Sequence, residues 1–432
     1  MFRSCVTRAL VLALFLSISV ARAVDEESPN DFIGNLSTLG RKPDWSGLEK
    51  YQTTITHDEF VRLLSDVYCS HGYNPDLFKV EPEAVQILTE TGTQNRFVLR
   101  FAKSDADRLP RAHWWTAPAA LPAAQEASPL AGFHIALDPG HLGGTWAKME
   151  ERWFKIGESA PVQEGDMTLR VAQLLVPRLL SLGAKVSLVR ETAEPSTPYR
   201  PSDLEGIARQ LLERAGVADP RENFDGSADS EKERTIAWQR EQLFYRTSEI
   251  RRRASLVNYR LQPDLVLCLH FNAEPWGDPG HPTLVEKNHL HLLVNGSYLP
   301  PELELDDARF EMLEKLLSHA LPEELALAEA IAQTMAKKTG LPPYQYTTGN
   351  AIPAGTSGYV YARNLLATRL YRCPTIYLEP YVMNNREVFE RVKAGDYEGE
   401  RTVAGRSKPS IYHEYVDSVV DGLLAYFKKA RP

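Results

Sequence analysis

Short, nearly continuous apolar runs alternate with longer helix-like segments from residue 133 to the end of the chain. Three of these runs read FHIALD, DLVLCLHF and TIYLE, and each is apolar at consecutive positions rather than at alternate ones. Strands of this kind are buried on both faces, which is typical of a mainly parallel sheet flanked by helices on both faces. We therefore predict an α/β fold, in which ligands bind beyond the carboxyl ends of the strands.

The chain has 432 residues, enough for two or three domains. We predict a small N-terminal α+β unit at 24–113, where HDEFVRLLSDVYCSHG has helical spacing and AVQILTE and NRFVLRFA have the pattern of a β-hairpin. The role of this unit is not indicated by its sequence. A Pro/Ala-rich linker is predicted at 114–132 and the α/β domain at 133–432, with insertions at about 191–250 and 296–350.

Residues 1–23 have the pattern of a secretory signal peptide. Arg3 and Arg8 form a basic start, an apolar run follows from Ala9 to Val20, and an Ala-Arg-Ala cleavage sequence ends the segment. The run is too short to span a bilayer comfortably, although an uncleaved anchor is the alternative. We therefore expect an exported protein, periplasmic or extracellular, that carries no transmembrane anchor.

Charge and cysteine content narrow the classes of partner and site. The net charge of −8, without a long basic run, argues against nucleic acid as a partner. Cleavage of the signal peptide leaves Cys69, Cys268 and Cys373, which allow at most one intramolecular disulfide. Their spacing fits no zinc finger, and we expect Cys268 and Cys373, each in an apolar strand-like run, to be buried thiols.

Polar residues stand where the predicted strands end. His141 follows IALDPG, Glu164 opens a long helix, His270 ends LVLCLH and Glu379 ends TIYLE. Hydrolytic zinc sites take three protein ligands from His and carboxylate groups, with water in the fourth position. Two histidines and one glutamate therefore suit zinc, and the other glutamate is left to accept the proton of the water as a general base.

Four sequence motifs from residue 133 onward resemble the zinc-dependent N-acetylmuramoyl-L-alanine amidase family. These are IALDPGHLGG, EGDMTLRVAQLLVPRLLSLGAKVSLVR, RASLVNYRLQPDLVLCLHFNA and CPTIYLEPYVMNNREV, and they occur in the order expected for that family. The resemblance implies that His141, Glu164 and His270 hold Zn²⁺ and that Glu379 is the general base. It also implies hydrolysis of the amide between N-acetylmuramic acid and L-alanine, with peptidoglycan as the partner.

The same resemblance extends to residues around the expected ligands. Asn272 and Asp138 are expected to orient the site or to bind substrate. Arg253 and Asn258 are expected to pack or hydrogen-bond beneath the sheet rather than to take part in catalysis. Two other functions stay open: a zinc amidohydrolase of the same fold that acts on another amide or peptide, and a non-catalytic cell-wall-binding protein.

Several residues have two interpretations. His289 and His291 share one strand face and could chelate a metal in place of Glu164, or simply lie near the rim of the site. Trp146 and Trp153, in the loop after His141, could stack on sugar rings or pack on the surface.

The acidic stretch 300–318 has helical spacing. It could be a lid that brings an acidic side chain to the zinc until an activator protein displaces it. The alternative is a solvated surface helix.

Overall fold

The computed structural model of the protein describes residues 35–123 and 125–431, so the predicted signal peptide lies outside the described residues. Its central feature is a seven-stranded sheet. The strands of the described residues are β1 Phe78–Val80, β2 Ala84–Leu88, β3 Arg96–Arg100, β4 His134–Pro139, β5 Trp153–Phe154, β6 Val162–Gln163, β7 Lys185–Leu188, β8 Leu265–Leu269, β9 Leu290–Val294, β10 Ile352–Pro353, β11 Val360–Ala362, β12 Thr375–Pro380, β13 Glu400–Val403 and β14 Arg406–Pro409.

Helices cover this sheet and connect its strands. The α-helices of the described residues are α1 His57–Leu63, α2 Glu164–Ser181, α3 Glu205–Arg214, α4 Ile236–Gln242, α5 Glu249–Ser255, α6 Pro300–Leu303, α7 Asp306–Ser318, α8 Ala320–Thr339, α9 Leu366–Leu370, α10 Arg386–Lys393 and α11 Ile411–Ala430. Within the described part of the chain, no helix combines the length and the apolar character needed to cross a membrane.

The central sheet has the strand order β10-β11-β9-β12-β8-β4-β7. Strands β7, β4, β8 and β12 are parallel, which confirms the predicted mostly parallel sheet with helices on its faces. Strand β9 runs antiparallel to β12 and begins at the edge where β8 ends. A β9 strand parallel to β8 would need a long connection back to the opposite edge of the sheet. Because the chain instead turns back at the edge where β8 ends, β9 runs antiparallel.

The two faces of the central strands belong to two different cores. Along β4 and β8, Leu137 and Leu267 pack into the larger core, which also holds residues of α2, α8 and α11. The alternate residues Ala136 and Val266 pack on the opposite face, with residues of α5 and the turns that follow it. Burial of a large aliphatic side chain contributes roughly 1.5–3 kcal/mol, so both cores hold the carboxyl ends of these strands in place.

The N-terminal α+β unit contains the predicted helix and hairpin. Helix α1 begins after Thr56, whose side chain accepts a hydrogen bond from the backbone N–H of Glu59. Strands β2 and β3 are antiparallel, and Val85 pairs with Leu99 on the buried face. The unit packs on α7, where the rings of Trp45 and Phe310 lie 5.3 Å apart in an edge-to-face arrangement.

The stretch 300–318 is neither a lid over the strand ends nor a solvated helix. Every residue of α7 except Glu311 is buried. Its charged groups are satisfied locally: Arg309 donates to the carbonyl of Leu88 at 2.9 Å, and Nζ of Lys315 lies 2.6 Å from Oε1 of Glu324. The lid hypothesis is wrong, because no residue of 300–318 is among those that line the cavity around His141, Glu164 and His270, and the lid that an activator was expected to displace is therefore not formed by this stretch.

The insertion at 191–250 forms a small core of its own beside the turn that follows β4. Leu204, Ile207 and Phe244 are buried there together with Leu142. The α4 segment continues without interruption through wider π-type turns and α5 to Leu261, where Gln262 takes a left-handed conformation and ends it. This insertion therefore forms one wall next to the predicted site.

The three cysteines of the described residues, Cys69, Cys268 and Cys373, are buried free thiols. Burial raises the pKa of Cys69 and of Cys373 to about 12. The expectation of buried thiols at Cys268 and Cys373 is confirmed.

Candidate active site

The turn after β4 presents His141 at the edge of the sheet. Pro139 ends the strand, and His141 has a φ of 60°, in the left-handed region. Gly140 lies directly beneath the ring of His270: a Cβ on this residue would overlap Cε1 of that ring. The absence of a side chain at this position therefore lets the two histidines approach each other.

His141, Glu164 and His270 form a compact group of metal-ligating side chains. One ligand atom of each lies within 4.8 Å of the others. Oε1 of Glu164 is 3.3 Å from Nε2 of His141 and 3.2 Å from Nδ1 of His270. Three residues from distant parts of the chain thus meet at one point, as the sequence predicted.

The charges of this group suit a divalent cation. Burial opposes the charge on Glu164, but His141, His270 and Arg152 outweigh it and hold its pKa below the usual 4.5. Burial lowers the pKa of His141 well below 6.5, so its ring is neutral at neutral pH. Oε2 of Glu164 is buried without a hydrogen bond, and Nε of Arg152 is 3.7 Å away. A neutral imidazole at His141, an ionised carboxylate and an unsatisfied buried oxygen fit a bound Zn²⁺.

Glu150 orients His141 from the side away from Glu164. Nδ1 of His141 donates to Oε1 of Glu150 at 2.9 Å, and the backbone N–H of Leu142 donates to Oε2 at 2.6 Å. This contact leaves Nε2 of His141 free to act as a ligand. Glu150 is not predicted by the motifs; its only signal in the sequence is a carboxylate nine residues after His141 in the same loop.

Glu379 lies in the same cavity as the three clustered residues. The cavity has a volume of about 600 Å³ and is also lined by Arg152 and Arg363. Burial, followed by the negative charge of Glu164, raises the pKa of Glu379 well above 4.5, and the two arginines oppose this shift. A carboxyl group with a raised pKa beside a metal site is suited to exchange protons with water or substrate.

His270 is supported on its other side by Tyr377. The two rings stack with centroids 4.0 Å apart, and the hydroxyl of Tyr377 lies 3.1 Å from Nδ1 of His270. The hydroxyl of Tyr415 donates to the carbonyl of His270 at 3.2 Å. Stacking on Tyr377 and the hydrogen bond from Tyr415, on the C-terminal helix α11, fix the orientation of the His270 ring.

Asp138 and Asn272 line the cavity but contact other partners than the clustered ligands. Arg253 donates to Oδ1 of Asp138 at 2.9 Å and to the carbonyl of Pro139 at 2.7 Å. Oδ1 of Asn272 accepts from the backbone N–H of Ala273 at 2.7 Å. Asp138 and Arg253 therefore hold the turn that carries His141, and Asn272 shapes the segment after His270.

Arg253 and Asn258 lie on the face of the sheet opposite α2. Arg253 also donates to Oε1 of Glu249 at 2.7 Å, so it connects two buried carboxylates. The amide of Asn258 donates to the carbonyl of Leu370 at 2.8 Å. Both residues make the buried hydrogen bonds expected from the sequence.

His289 and His291 do not belong to the clustered ligand group. Nδ1 of His291 lies 3.4 Å from Nδ2 of Asn272, and its Nε2 lies 3.1 Å from the hydroxyl of Tyr346. Nε2 of His289 is 3.5 Å from a carboxylate oxygen of Glu274. His291 is buried and lines the cavity that holds Glu379, whereas His289 is not among the residues that line it; neither takes the place of Glu164 in the ligand group.

Comparison with known proteins adds to this geometry. Residues 135–405, more than half of the chain, match a family model described as N-acetylmuramoyl-L-alanine amidase. No curated protein matches the chain.

Among solved structures, the chain is similar to Ami1, an N-acetylmuramyl-L-alanine amidase from Mycobacterium smegmatis, at 15 % identity and a TM-score of 0.36; the match covers 69 % of this chain and 99 % of that one. The AmiC2 amidase of Nostoc punctiforme matches at 14 % identity and a TM-score of 0.35, over 69 % and 99 % of the two chains. The CwlD amidase from Clostridioides difficile, solved in complex with the GerS lipoprotein, matches at 11 % identity and a TM-score of 0.37. This match covers 69 % of the present chain and 100 % of the CwlD chain.

Proposed function

Because the chain belongs to the N-acetylmuramoyl-L-alanine amidase family, we propose that it uses Zn²⁺ to hydrolyse the amide between N-acetylmuramic acid and L-alanine in peptidoglycan. The observation that carries the zinc dependence is the group of His141, Glu164 and His270, which shares one cavity with Glu379. We also propose that the protein is exported, since its substrate lies outside the cytoplasm.

His141, Glu164 and His270 would hold the zinc ion. A bound zinc ion supplies a Lewis acid that polarises the scissile carbonyl and lowers the pKa of water. Glu150 and Tyr377 keep the two imidazole rings in position for this ligation.

Glu379 would act as the general base. Its position in the cavity allows it to accept a proton from the attacking water and to deliver it to the departing nitrogen of L-alanine. Burial and Glu164 raise the pKa of Glu379, and the positive charges of Arg152 and Arg363 oppose this rise. The same two guanidinium groups line the cavity and can pair with the carboxylates of a stem peptide.

The test measures release of stem peptides from purified peptidoglycan by residues 24–432 and by Glu379→Gln, with zinc content determined for each protein. Glu390→Gln is a matched control, because Glu390 lies on α10 and pairs only with the exposed Lys393 among the described contacts. We expect peptides with a new L-alanine amino terminus from the wild type and from the control. Glu379→Gln should keep its zinc and lose about 10²- to 10⁴-fold in rate.

Two results would contradict the proposal. If the zinc-loaded wild type releases sugars or shortened peptides instead, the scissile bond is wrong. If Glu379→Gln keeps full activity, the general base is another group.

A further inference from the structure

A second cavity of about 670 Å³ adjoins the one that holds the clustered ligands. Arg152 and Ala273 line both cavities, so the two cavities lie next to one another. Its volume is within the range of about 300–1,000 Å³ that is common for ligand pockets. No role in holding the metal falls to this second cavity.

Aromatic rings dominate its wall. The indoles of Trp153, Trp238 and Trp276 and the ring of Phe224 line it, and all four side chains are half-buried, so each presents part of a ring to the cavity. Three separate segments contribute these rings: the loop after His141, the insertion at 191–250 and the loop after β8.

The rings are held by neighbouring groups. The Phe154 ring packs against Trp276 with centroids 5.0 Å apart, and Nζ of Lys148 lies 4.4 Å from the centroid of the Trp153 ring. Nε1 of Trp238 is buried and has no hydrogen-bond partner among the described residues, so the part of this indole that meets the cavity is its apolar ring. A fixed aromatic wall is suited to a ligand with flat apolar faces, such as a sugar ring.

The charged groups of the cavity are balanced. Nζ of Lys232 lies 2.6 Å from Oε1 of Glu151. Oε2 of Glu274 likewise pairs with a lysine and lies 3.3 Å from Nζ of Lys287. Three basic side chains (Lys148, Arg152 and Lys232) and three acidic ones (Glu151, Glu241 and Glu274) line the cavity, and burial raises the pKa of Glu241 to about 7. This balance favours an uncharged ligand over a stem peptide, which carries several carboxylates.

We propose that the second cavity binds the glycan strand beyond the muramoyl residue whose amide is cleaved, with hexose rings stacked on Trp153, Trp238 and Trp276. This inference rests on the proposed function, which supplies the substrate. Its geometric basis is that the two cavities are neighbours and share Arg152 and Ala273 in their walls. The stem peptide would then lie in the first cavity, beside Arg363.

The test compares the wild type with Trp238→Leu and Trp153→Leu, and uses Tyr259→Leu as control. Tyr259 is 61 % exposed and lines neither cavity. Binding of a β-1,4-linked N-acetylglucosamine tetrasaccharide is measured by calorimetry. Steady-state rates are measured on uncross-linked glycan chains with stem peptides and on N-acetylmuramoyl-tripeptide, which has a single sugar.

We expect each tryptophan variant to bind the tetrasaccharide about tenfold more weakly, equivalent to about 1.4 kcal/mol, and to show a similar rise in KM on the glycan chains. The kinetics on N-acetylmuramoyl-tripeptide should stay unchanged, which separates loss of glycan binding from loss of fold. Trp153 and Trp238 lie on different elements, β5 and α4, so if one variant misfolds the other still tests the glycan site.

Equal tetrasaccharide affinity in the wild type and a folded tryptophan variant would overturn the glycan assignment. Loss of activity on the single-sugar substrate by folded variants would also overturn it, and would place the muramoyl or peptide group in this cavity. If the wild type cleaves neither substrate, the amidase proposal fails, and the tetrasaccharide titration still decides the glycan site.

Discussion

Glu150 accepts a hydrogen bond from Nδ1 of His141 at 2.9 Å, and this contact decides which nitrogen of that ring is left to bind a metal. The carboxylate is buried, and burial raises its pKa to about 7. It also binds the backbone N–H of Leu142, so it connects ring and turn. Because such carboxylate–histidine pairs orient ligands, the contact has a measurable consequence for zinc affinity.

Glu150→Gln should lower zinc affinity by about 10- to 100-fold, since the amide group cannot accept both hydrogen bonds in the same way. Zinc affinity is measured by competition with a chromophoric chelator. Glu158→Gln serves as the control, because Glu158 is exposed in the same loop. Equal zinc affinity of the Glu150 and Glu158 variants would show that His141 needs no carboxylate partner.

Gly140→Ala should displace the ring of His270, because the added Cβ would overlap Cε1 of that ring. We expect at least about a tenfold loss of zinc affinity, the magnitude found when ligand orientation is disturbed. The control is Gly206→Ala near the start of α3, where an added methyl group would meet open space among the described residues. Gly206→Ala should keep zinc affinity and leave stability unchanged or slightly raised. Wild-type zinc affinity in Gly140→Ala would contradict the steric argument.

Asp138→Asn should destabilise the fold by roughly 3–5 kcal/mol, because it leaves the buried charge of Arg253 without one of its partners. Urea denaturation measures the loss. The exposed pair Arg178–Asp417, with N and O 2.7 Å apart, is the comparison: Asp417→Asn should change stability by less than about 1 kcal/mol. Similar effects of the two substitutions would mean that the Asp138 contact is not a structural support of the turn.

His134 should make the fold sensitive to acid. Burial, followed by the charge of Lys185, lowers its pKa from the usual 6.5 to about 4. A depressed pKa of a base means that the unfolded chain takes up the proton first, so stability is full above pH 6.5 and falls as the pH drops from 6.5 to 4. The loss attributable to this residue between about pH 7.5 and pH 5 is roughly 2 kcal/mol.

His134→Gln should remove this part of the acid sensitivity. The amide retains a polar group near the hydroxyl of Ser187, which lies 2.9 Å from Nε2 of His134. Free energies of unfolding are measured at the same two pH values, and the decrease should be smaller in the variant than in the wild type. An equal decrease in both proteins would assign the acid sensitivity to other groups.

Part of the site was predictable from the sequence because each residue was marked by its place in a local pattern. His141, His270 and Glu379 stand at the ends of apolar strands, and parallel strands bring their carboxyl ends to one edge. Glu150 could not be predicted in this way, because the loop that carries it has no helical or strand periodicity from which the orientation of the side chain could be inferred. The helix at 300–318 was predicted, but its environment was not, because burial of α7 depends on contacts with α8 and the N-terminal unit.

The strands, their mostly parallel arrangement and the group of residues at their ends are predictable from the amino-acid pattern, because they follow from apolar runs and turn residues close to one another in the chain. Long-range packing, in contrast, sets the antiparallel direction of β9, the support of His141 by Glu150 and the aromatic wall formed by Trp153, Trp238 and Trp276. Each of these depends on how whole segments pack against one another, and the free energy that brings them together comes from packing in the folded protein rather than from local preference.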